Sequence, residues 1–140
     1  MNAVITKIKQ SIRSTQKQSA PISLRTISGE MTYTLAKKAG RLVSLSEEPA
    51  LRVWKYWRLI ENAFPYDTAF RVHHLLIPIR VIAKGQLNIA EKEELEIILD
   101  LLSDEYDCYL ENFVSKQSIK NHYHLHLLTY KDDRTDMSLY

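Results

Sequence analysis

Three histidines near the end of the chain, His122, His124 and His126, are separated by single residues. They are three of only five histidines among 140 residues. Successive side chains of an extended strand point to opposite faces, so this spacing puts the three imidazoles in a row on one face. Imidazole acts near neutral pH as a nucleophile, a proton carrier or a metal ligand. The row is therefore the first place to look for chemistry.

Three interpretations of this row compete. A strand rises about 3.3 Å per residue, so the first and third rings start about 13 Å apart, whereas zinc binds nitrogen at about 2.1 Å. A metal site would therefore need another ligand from His73, His74 or an acidic residue. A purely structural row would bury three titratable rings together, which costs free energy. The third interpretation is catalysis at phosphorus: the central neutral imidazole attacks, and its neighbours, at least one protonated near pH 7, donate hydrogen bonds to the phosphate.

The residues around the row carry a resemblance to a known family. The segment His122-Tyr-His124-Leu-His126-Leu-Leu resembles the His-φ-His-φ-His-φ-φ signature of the histidine triad (HIT) family, where φ is a hydrophobic residue. Upstream, His73-His74-Leu75-Leu76-Ile77-Pro78 is similar to the His-x-Leu-Val-Ile-Pro strand of those proteins. The segment from Asn62 to Asp67 resembles the loop that precedes that strand. The likeness covers about residues 50 to 130.

The resemblance implies a nucleotide hydrolase or nucleotidyl transferase that cleaves at the α-phosphate through a covalent nucleotidyl-histidine intermediate. It implies that His124 is the nucleophile, that His122 and His126 orient and bind the phosphate, and that the protein is a homodimer needing no metal or other cofactor. The implied nucleotide-binding residues are Asn62 near the ribose, His73 as a fourth histidine, and Gln117 and Ser118 at the phosphate or leaving group. A nucleotide-binding protein with little turnover and a histidine-ligated metal protein remain as alternatives.

The chain departs from the family pattern just before the triad. The Gln-Ser pair, Gln117-Ser118, stands one residue further from His122 than in many members, and Lys116 replaces the usual glycine. Lys116 is therefore an alternative phosphate contact. Few residues separate Asn112 from the triad, which allows a sheet that is one strand shorter than the family's.

Composition restricts the partners and the location. The 19 Lys and Arg residues nearly balance 17 Asp and Glu, which does not favour a nucleic-acid partner. Three glycines are too few for a phosphate-binding loop or a dinucleotide fingerprint, so side chains must bind any phosphate. The single cysteine excludes an intrachain disulfide and fits a reducing compartment, and no apolar run approaches the roughly 18 residues that span a bilayer. We predict a cytoplasmic protein without a membrane partner.

The patterns of apolar residues predict an α+β fold that resembles the HIT architecture, an antiparallel sheet with one long helix between the central strands. β-favouring and apolar runs predict strands at 53–61 and 75–82, with a loop at 62–67 between them. Apolar residues at steps of three and four predict a helix from Ala90 to Phe113, capped by Asn88. The alternation around the histidines predicts a strand from Asn121 to Tyr130.

The beginning of the chain differs in composition from the rest. Residues 1–29 hold five basic and no acidic residues, and Ile5, Ile8 and Ile12 have helical spacing. We predict a helical, basic extension over 1–29 and a folded domain over 30–140, in which a short helix near Met31 to Lys38 ends at Gly40. Since the residues assigned to phosphate chemistry lie between Asn62 and His126, we expect the extension to lie outside the site.

Overall fold

The computed structural model of the chain describes residues 23–117 and 119–131. These residues form one antiparallel sheet and two α-helices, which confirms the α+β class. The helices are α1 (Ile27–Lys38) and α2 (Ile89–Leu102), and the strands are β1 (Ala50–Val53), β2 (Trp57–Glu61), β3 (Phe70–Pro78), β4 (Cys108–Leu110) and β5 (Leu125–Tyr130). The strand order across the sheet is β1-β2-β3-β5-β4. No helix in the described ranges is long and apolar enough to cross a membrane.

Helix α1 starts earlier than the sequence predicts and is anchored at its first turn. Thr26 caps it by accepting a hydrogen bond from the Gly29 amide, and the Asp67 carboxylate accepts from the Thr26 amide and hydroxyl. The expected boundary between residues 29 and 30 falls inside this helix. The predicted end is confirmed, since Gly40 adopts φ +66° just after the C-cap. Residues 1–22, with the predicted Ile5, Ile8 and Ile12 helix, lie outside the described residues.

The strand predicted at 53–61 is instead the turn and second strand of a hairpin. β1 ends at Val53, the Trp54 amide donates to the Trp57 carbonyl to close a tight turn, and β2 begins at Trp57. Aromatic residues on both sides of this turn look like one continuous β-favouring run in the sequence, which hides the reversal. The Trp57 indole is fully buried and donates to the Glu91 carbonyl, so this side chain belongs to the core.

Strand β3 is displaced from its predicted position. It runs from Phe70 to Pro78, whereas the sequence predicts residues 75–82. The prediction took the two histidines as a boundary, but His73 and His74 pair with Leu128 and Leu127 inside the sheet. The predicted loop at 62–67 is confirmed, because no strand or helix crosses it in the described chain.

Helix α2 is shorter than predicted, and part of the segment predicted as helix forms the strand β4 instead. Asn88 caps α2 as expected, by accepting from the Glu91 amide, but the helix ends at Leu102 rather than near Phe113. The chain then turns, and the Asp107 amide bonds to the Leu128 carbonyl as β4 begins beside β5. Spacing alone could not separate these elements, because apolar residues of the loop and of β4 continue the helical period by coincidence. The described chain therefore has a strand, β4, between α2 and β5.

The two faces of the sheet are built differently. Helix α2 packs on one face and forms the larger apolar core with Trp57, Leu59, Leu76, Ile98, Leu102, Tyr123, Leu125 and Leu127. The opposite face has a smaller apolar cluster of Leu45, Ile60, Leu75 and Ile77. Side chains alternate along β5, so Leu125 and Leu127 enter the α2 core while His126 lies on the other face, beside Leu75 in register.

Candidate active site

A cavity of about 420 Å³ opens on the sheet face away from α2. This volume lies within the range of pockets that hold small ligands. Its wall is formed by α1 and the loop after it, by residues 61–66, by the segment before β5 and by β5 itself. The lining side chains that carry polar groups are Arg25, Tyr33, Lys37, Arg41, Glu48, Glu61, Asn62, Tyr66, Asn112, Lys116, His124 and His126.

His124 stands at the cavity wall with its two ring nitrogens in different environments. Its Nδ1 lies 2.9 Å from the backbone carbonyl of His122. A carbonyl oxygen can only accept, so Nδ1 carries the hydrogen and donates it. In the neutral ring the lone pair is then on Nε2, which has no hydrogen-bond partner among the described residues. The backbone thereby fixes the tautomer in which Nε2 is the nucleophilic atom.

His122 is buried and is not part of the cavity wall. Its Nε2 lies 2.9 Å from the Pro78 carbonyl and must donate to it. The Tyr123 amide also bonds to the Ile82 carbonyl, so this segment is held by the chain after β3. For that reason β5 begins at Leu125 rather than at the predicted Asn121. His122 therefore contributes its carbonyl to His124, and its own ring is occupied elsewhere.

His73 and His126 form a hydrogen-bonded pair, and their surroundings fix both tautomers. The Tyr66 amide donates to His73 Nδ1 at 2.9 Å, so the hydrogen of the neutral His73 ring is on Nε2. That Nε2 donates to His126 Nδ1 at 2.7 Å, which leaves the His126 hydrogen on its own Nε2. The side-chain amide nitrogen of Asn112 lies 3.4 Å from His126 Nε2. The cavity wall thus presents two N–H donors side by side, from His126 and Asn112.

The wall residues His124 and His126, and His73, which is buried and does not line the cavity, favour their neutral forms. Burial, reinforced by the neighbouring His126 and Arg25, lowers the pKa of His73 to about 3. Burial, with His124 and Arg25 nearby, lowers the pKa of His126 to about 4. The pKa of His124 is also below its usual range, chiefly because of burial. Positive charge near pH 7 therefore comes from the lysines and arginines of the wall, and these three rings do not supply the protonated imidazole expected from the sequence.

Arg25 lines the cavity, which contradicts the expectation that the first 29 residues lie outside the site. Its Nε donates to the Phe64 carbonyl at 2.9 Å, and its guanidinium lies over the rings of Tyr33 and Tyr66. Tyr66 in turn stacks on His126, with 5.1 Å between ring centroids and 23° between planes. The Tyr66 ring therefore contacts both the Arg25 guanidinium and the His126 ring.

Of the other predicted site residues, some line the cavity and some do not. Asn62 lines the cavity, and its Oδ1 accepts from the Phe64 amide at 2.8 Å, which shapes the loop. Gln117 is buried away from the cavity and donates to the Asn112 carbonyl at 3.0 Å, so it positions the segment that carries Asn112. Lys116, the alternative phosphate contact, lines the cavity. Ser118 lies outside the described residues.

Sequence reasoning missed most of the polar residues of this wall, and among them are Arg25, Lys37, Arg41 and Asn112. The basic residues precede the motif by more than 80 positions, and the anchoring of α1 to the 62–67 loop, through Asp67 and Phe64, brings them to the cavity. Lys37 and Arg41 stand four residues apart around the end of α1, a spacing that carries no signal by itself. Asn112 was hidden because the sequence predicts a helix that extends to its neighbour.

The described residues contain no group of three or more histidine, cysteine, aspartate or glutamate side chains arranged to hold a metal ion. The arrangement at the wall offers a fixed lone pair on His124 and two N–H donors on His126 and Asn112. A nucleophile beside donors that can stabilise developing negative charge is the requirement for group transfer at phosphorus or carbon. Comparisons with protein-family models, with curated proteins and with solved structures give no match for this chain.

Proposed function

We propose that this protein is a histidine triad-type nucleotide hydrolase or nucleotidyl transferase that acts at an α-phosphate through a covalent intermediate on His124. The observation that carries the proposal is the state of His124: its Nδ1–H is committed to the His122 carbonyl, and its Nε2 lone pair is left at a cavity. The motif His122-Tyr-His124-Leu-His126 and the donors beside it support the same chemistry.

The reaction has two displacements. In the first, the Nε2 lone pair of His124 forms a bond to the α-phosphorus, and the bond to the leaving group breaks with its electron pair. The nucleotidyl-imidazole formed is cationic, and the His122 carbonyl stabilises its Nδ1–H. In the second, water or another acceptor attacks the phosphorus and releases its proton to solvent, the P–N bond breaks with its electron pair returning to Nε2, and neutral His124 is restored.

Charge on the phosphate oxygens needs donors that are already in position. The Nε2–H of His126 is held by the bond from His73 to its Nδ1, and the Asn112 amide lies beside it. Donors fixed in advance stabilise the transition state without reorganising during the reaction. We assign the phosphate to this pair, with His73 and Gln117 as positioning residues.

The remaining wall suits a nucleoside. Phe64, Leu45 and Ile119 give the cavity an apolar side, and Asn62 adds a polar group next to Phe64. Apolar surface with a few placed polar groups is typical of small-molecule sites. The resemblance implies in addition that the protein is a cytoplasmic homodimer, and this stays a prediction.

The proposal is tested by replacing the nucleophile and measuring turnover and binding separately. We expect His124→Asn to abolish turnover of nucleotide phosphoramidates and dinucleoside polyphosphates, because the variant lacks the Nε2 lone pair that forms the covalent intermediate. Nucleotide affinity should change by less than about fivefold, because the groups that bind the ground state remain. Calorimetry with the product nucleotide measures this affinity.

His74→Asn is the matched control. His74 follows His73 on β3, but its ring bonds to the Tyr106 hydroxyl and does not line the cavity. This variant should turn over substrate at the wild-type rate. Undiminished turnover by His124→Asn contradicts the proposal. Nucleotide binding without wild-type turnover of any of these substrates would favour the alternative of a nucleotide-binding protein.

A further inference from the structure

Helix α1 turns an apolar stripe to solvent. Ile27, Met31 and Leu35 follow one another at four-residue steps along one side of the helix, and their exposed fractions are 66%, 60% and 57%. None of the three lines the cavity, whereas Tyr33 and Lys37 of the same helix do. Single exposed apolar residues are common on proteins, but a continuous apolar stripe marks a surface that another segment or molecule covers.

The chain that precedes α1 carries a stripe of the same kind. Ile5, Ile8 and Ile12 have helical spacing within residues 1–22, which lie outside the described residues. In a helix these three side chains fall within about 60° of one another around the axis, and those of the α1 stripe within about 80°. A helix of about 12 residues is marginal in water alone and is stabilised chiefly by packing an apolar face. The isoleucines therefore need an apolar surface, and the α1 stripe is one.

The two stripes match in length and are close in the chain. A helix rises about 10.5 Å from Ile5 to Ile12. The rise from Ile27 to Leu35 is about 12 Å. The connecting residues 13–26 can reach up to about 45 Å when extended, so they allow the segment to fold back on α1. A tethered segment meets the stripe at an effective concentration in the millimolar range, so that a weak apolar contact is enough to hold it.

The stripe is small for a contact between two separate molecules. Each partner in a stable protein complex contributes about 800 Å² of surface, and three aliphatic side chains offer well under that area. A segment of the same chain needs less area, because its tether has already brought it to the surface.

The flanks of the stripe do not favour a lipid surface. Lys38 is a cation beside the end of the stripe, but the hydroxyl groups of Ser28, Thr32 and Thr34 are exposed along it. Helices that bind anionic lipid carry lysine and arginine along the polar face. A polypeptide segment suits these flanks better.

We propose that residues 1–22 fold back as a helix whose Ile5, Ile8 and Ile12 side chains cover the apolar stripe of α1. The segment then braces α1 on its outer side, while the inner side of α1 contributes to the cavity wall. Because the stripe does not line the cavity, the inference does not depend on the proposed reaction.

The test asks whether the two stripes stabilise the full chain together. The segment variant is Ile8→Ser, Ile12→Ser and the α1 variant is Met31→Gln, Leu35→Gln, and all four substitutions nearly preserve helix propensity. We expect each variant to lower the melting temperature, followed by circular dichroism, by at least about 3 °C, because apolar area returns to water. Combined in one chain, the two variants should lower it little further than either alone, since the stripe has already lost its cover.

The matched control is Gln10→Ser, Ser14→Gln, which exchanges two polar residues on the side of the segment away from the isoleucines. It should leave the melting temperature unchanged. Losses that add in the combined variant, no loss in either variant, or the same loss in the control overturn the proposal.

Two measurements identify a different occupant. If a second copy covers the stripe, the difference in melting temperature between wild type and the α1 variant disappears on hundredfold dilution, whereas cover by the same chain predicts a constant difference. If a lipid surface takes the isoleucine face, wild-type protein sediments with phosphatidylserine vesicles, the segment variant does not, and the two proteins melt at the same temperature. Either result overturns the proposal.

Discussion

The two faces of the sheet use the same strands for opposite purposes. On the α2 face, β5 contributes Leu125 and Leu127 to an apolar core in which side chains such as Ile98 and Leu102 are almost fully buried. On the cavity face, the alternate residues His124 and His126 are nearly as buried, at 6% and 5% exposure, but they border an opening. The alternation of side chains therefore separates core leucines from cavity-lining histidines at adjacent residues.

The two faces also differ in how burial affects the free energy of unfolding at different pH values. Apolar burial on the α2 face stabilises the fold at every pH. Burial of His73 and His126 on the cavity face carries a penalty whenever these rings must become charged, because desolvation disfavours the cation. The buried histidines of the cavity face are thus supported by a core that lies on the other side of the sheet.

The largest effect on stability should come from the α2 face. We expect Ile98→Ala to lower the free energy of unfolding by about 2 to 5 kcal/mol, because it leaves a cavity at a side chain that is 1% exposed. Urea denaturation measures this loss. Turnover per folded molecule should stay at the wild-type value, because Ile98 touches only the α2 core.

The comparison with His124→Asn sharpens this prediction. That variant should lose turnover with a smaller loss of stability than Ile98→Ala. If Ile98→Ala abolishes turnover while the protein is still folded, the two faces are not independent and the separation drawn here is wrong.

A comparable loss of stability should come from acid acting on the cavity face, where each ring contributes at the lower end of the range given for Ile98→Ala. The folded pKa values of His73 and His126, about 3 and about 4, lie below the ordinary value near 6.5. Below pH 6.5 the unfolded chain binds protons that the folded state does not, so stability is complete above about pH 6.5 and falls as the pH drops toward the folded values. Between pH 7.5 and 5 each ring accounts for about 2 kcal/mol.

Urea midpoints at pH 7.5 and 5 measure this loss, and His73→Asn should reduce it. The window is chosen to stay above the range of the carboxylates with lowered pKa values, such as Asp67 and Glu91, which would act in the same direction only at lower pH. An identical pH dependence in wild-type protein and His73→Asn would show that the buried pair does not carry the effect.

Much of the site's location could be predicted from the sequence, because the determining features are local. A few adjacent residues determine each of three features: the alternation around His124, the cap at Asn88 and the loop at Asn62. The structure has the cap and the loop where the sequence predicts them. The ends of β3 and α2 could not be found in this way. The apolar period continues through Tyr106 and Tyr109 although one lies in a loop and the other in β4.

The electrostatics of the site could not be predicted, because they depend on which segments meet. The sequence favours a protonated imidazole in the triad, but burial and the nearby positive charge of Arg25 lower the pKa values of His126 and of its partner His73. The cations of the wall come from α1 and the chain around it, which the sequence assigns partly to an extension outside the site. No local pattern connects Arg25 or Arg41 to a motif that begins at His122.

Attack by His124 is tested most directly by the stereochemistry at the α-phosphorus. Hydrolysis of a substrate with a chiral α-phosphorothioate in ¹⁸O-labelled water gives a product whose configuration can be read by phosphorus NMR. Two successive in-line displacements, first by His124 Nε2 and then by water, predict overall retention of configuration. Inversion would show that water attacks the substrate in a single step, and it would contradict a covalent intermediate on His124.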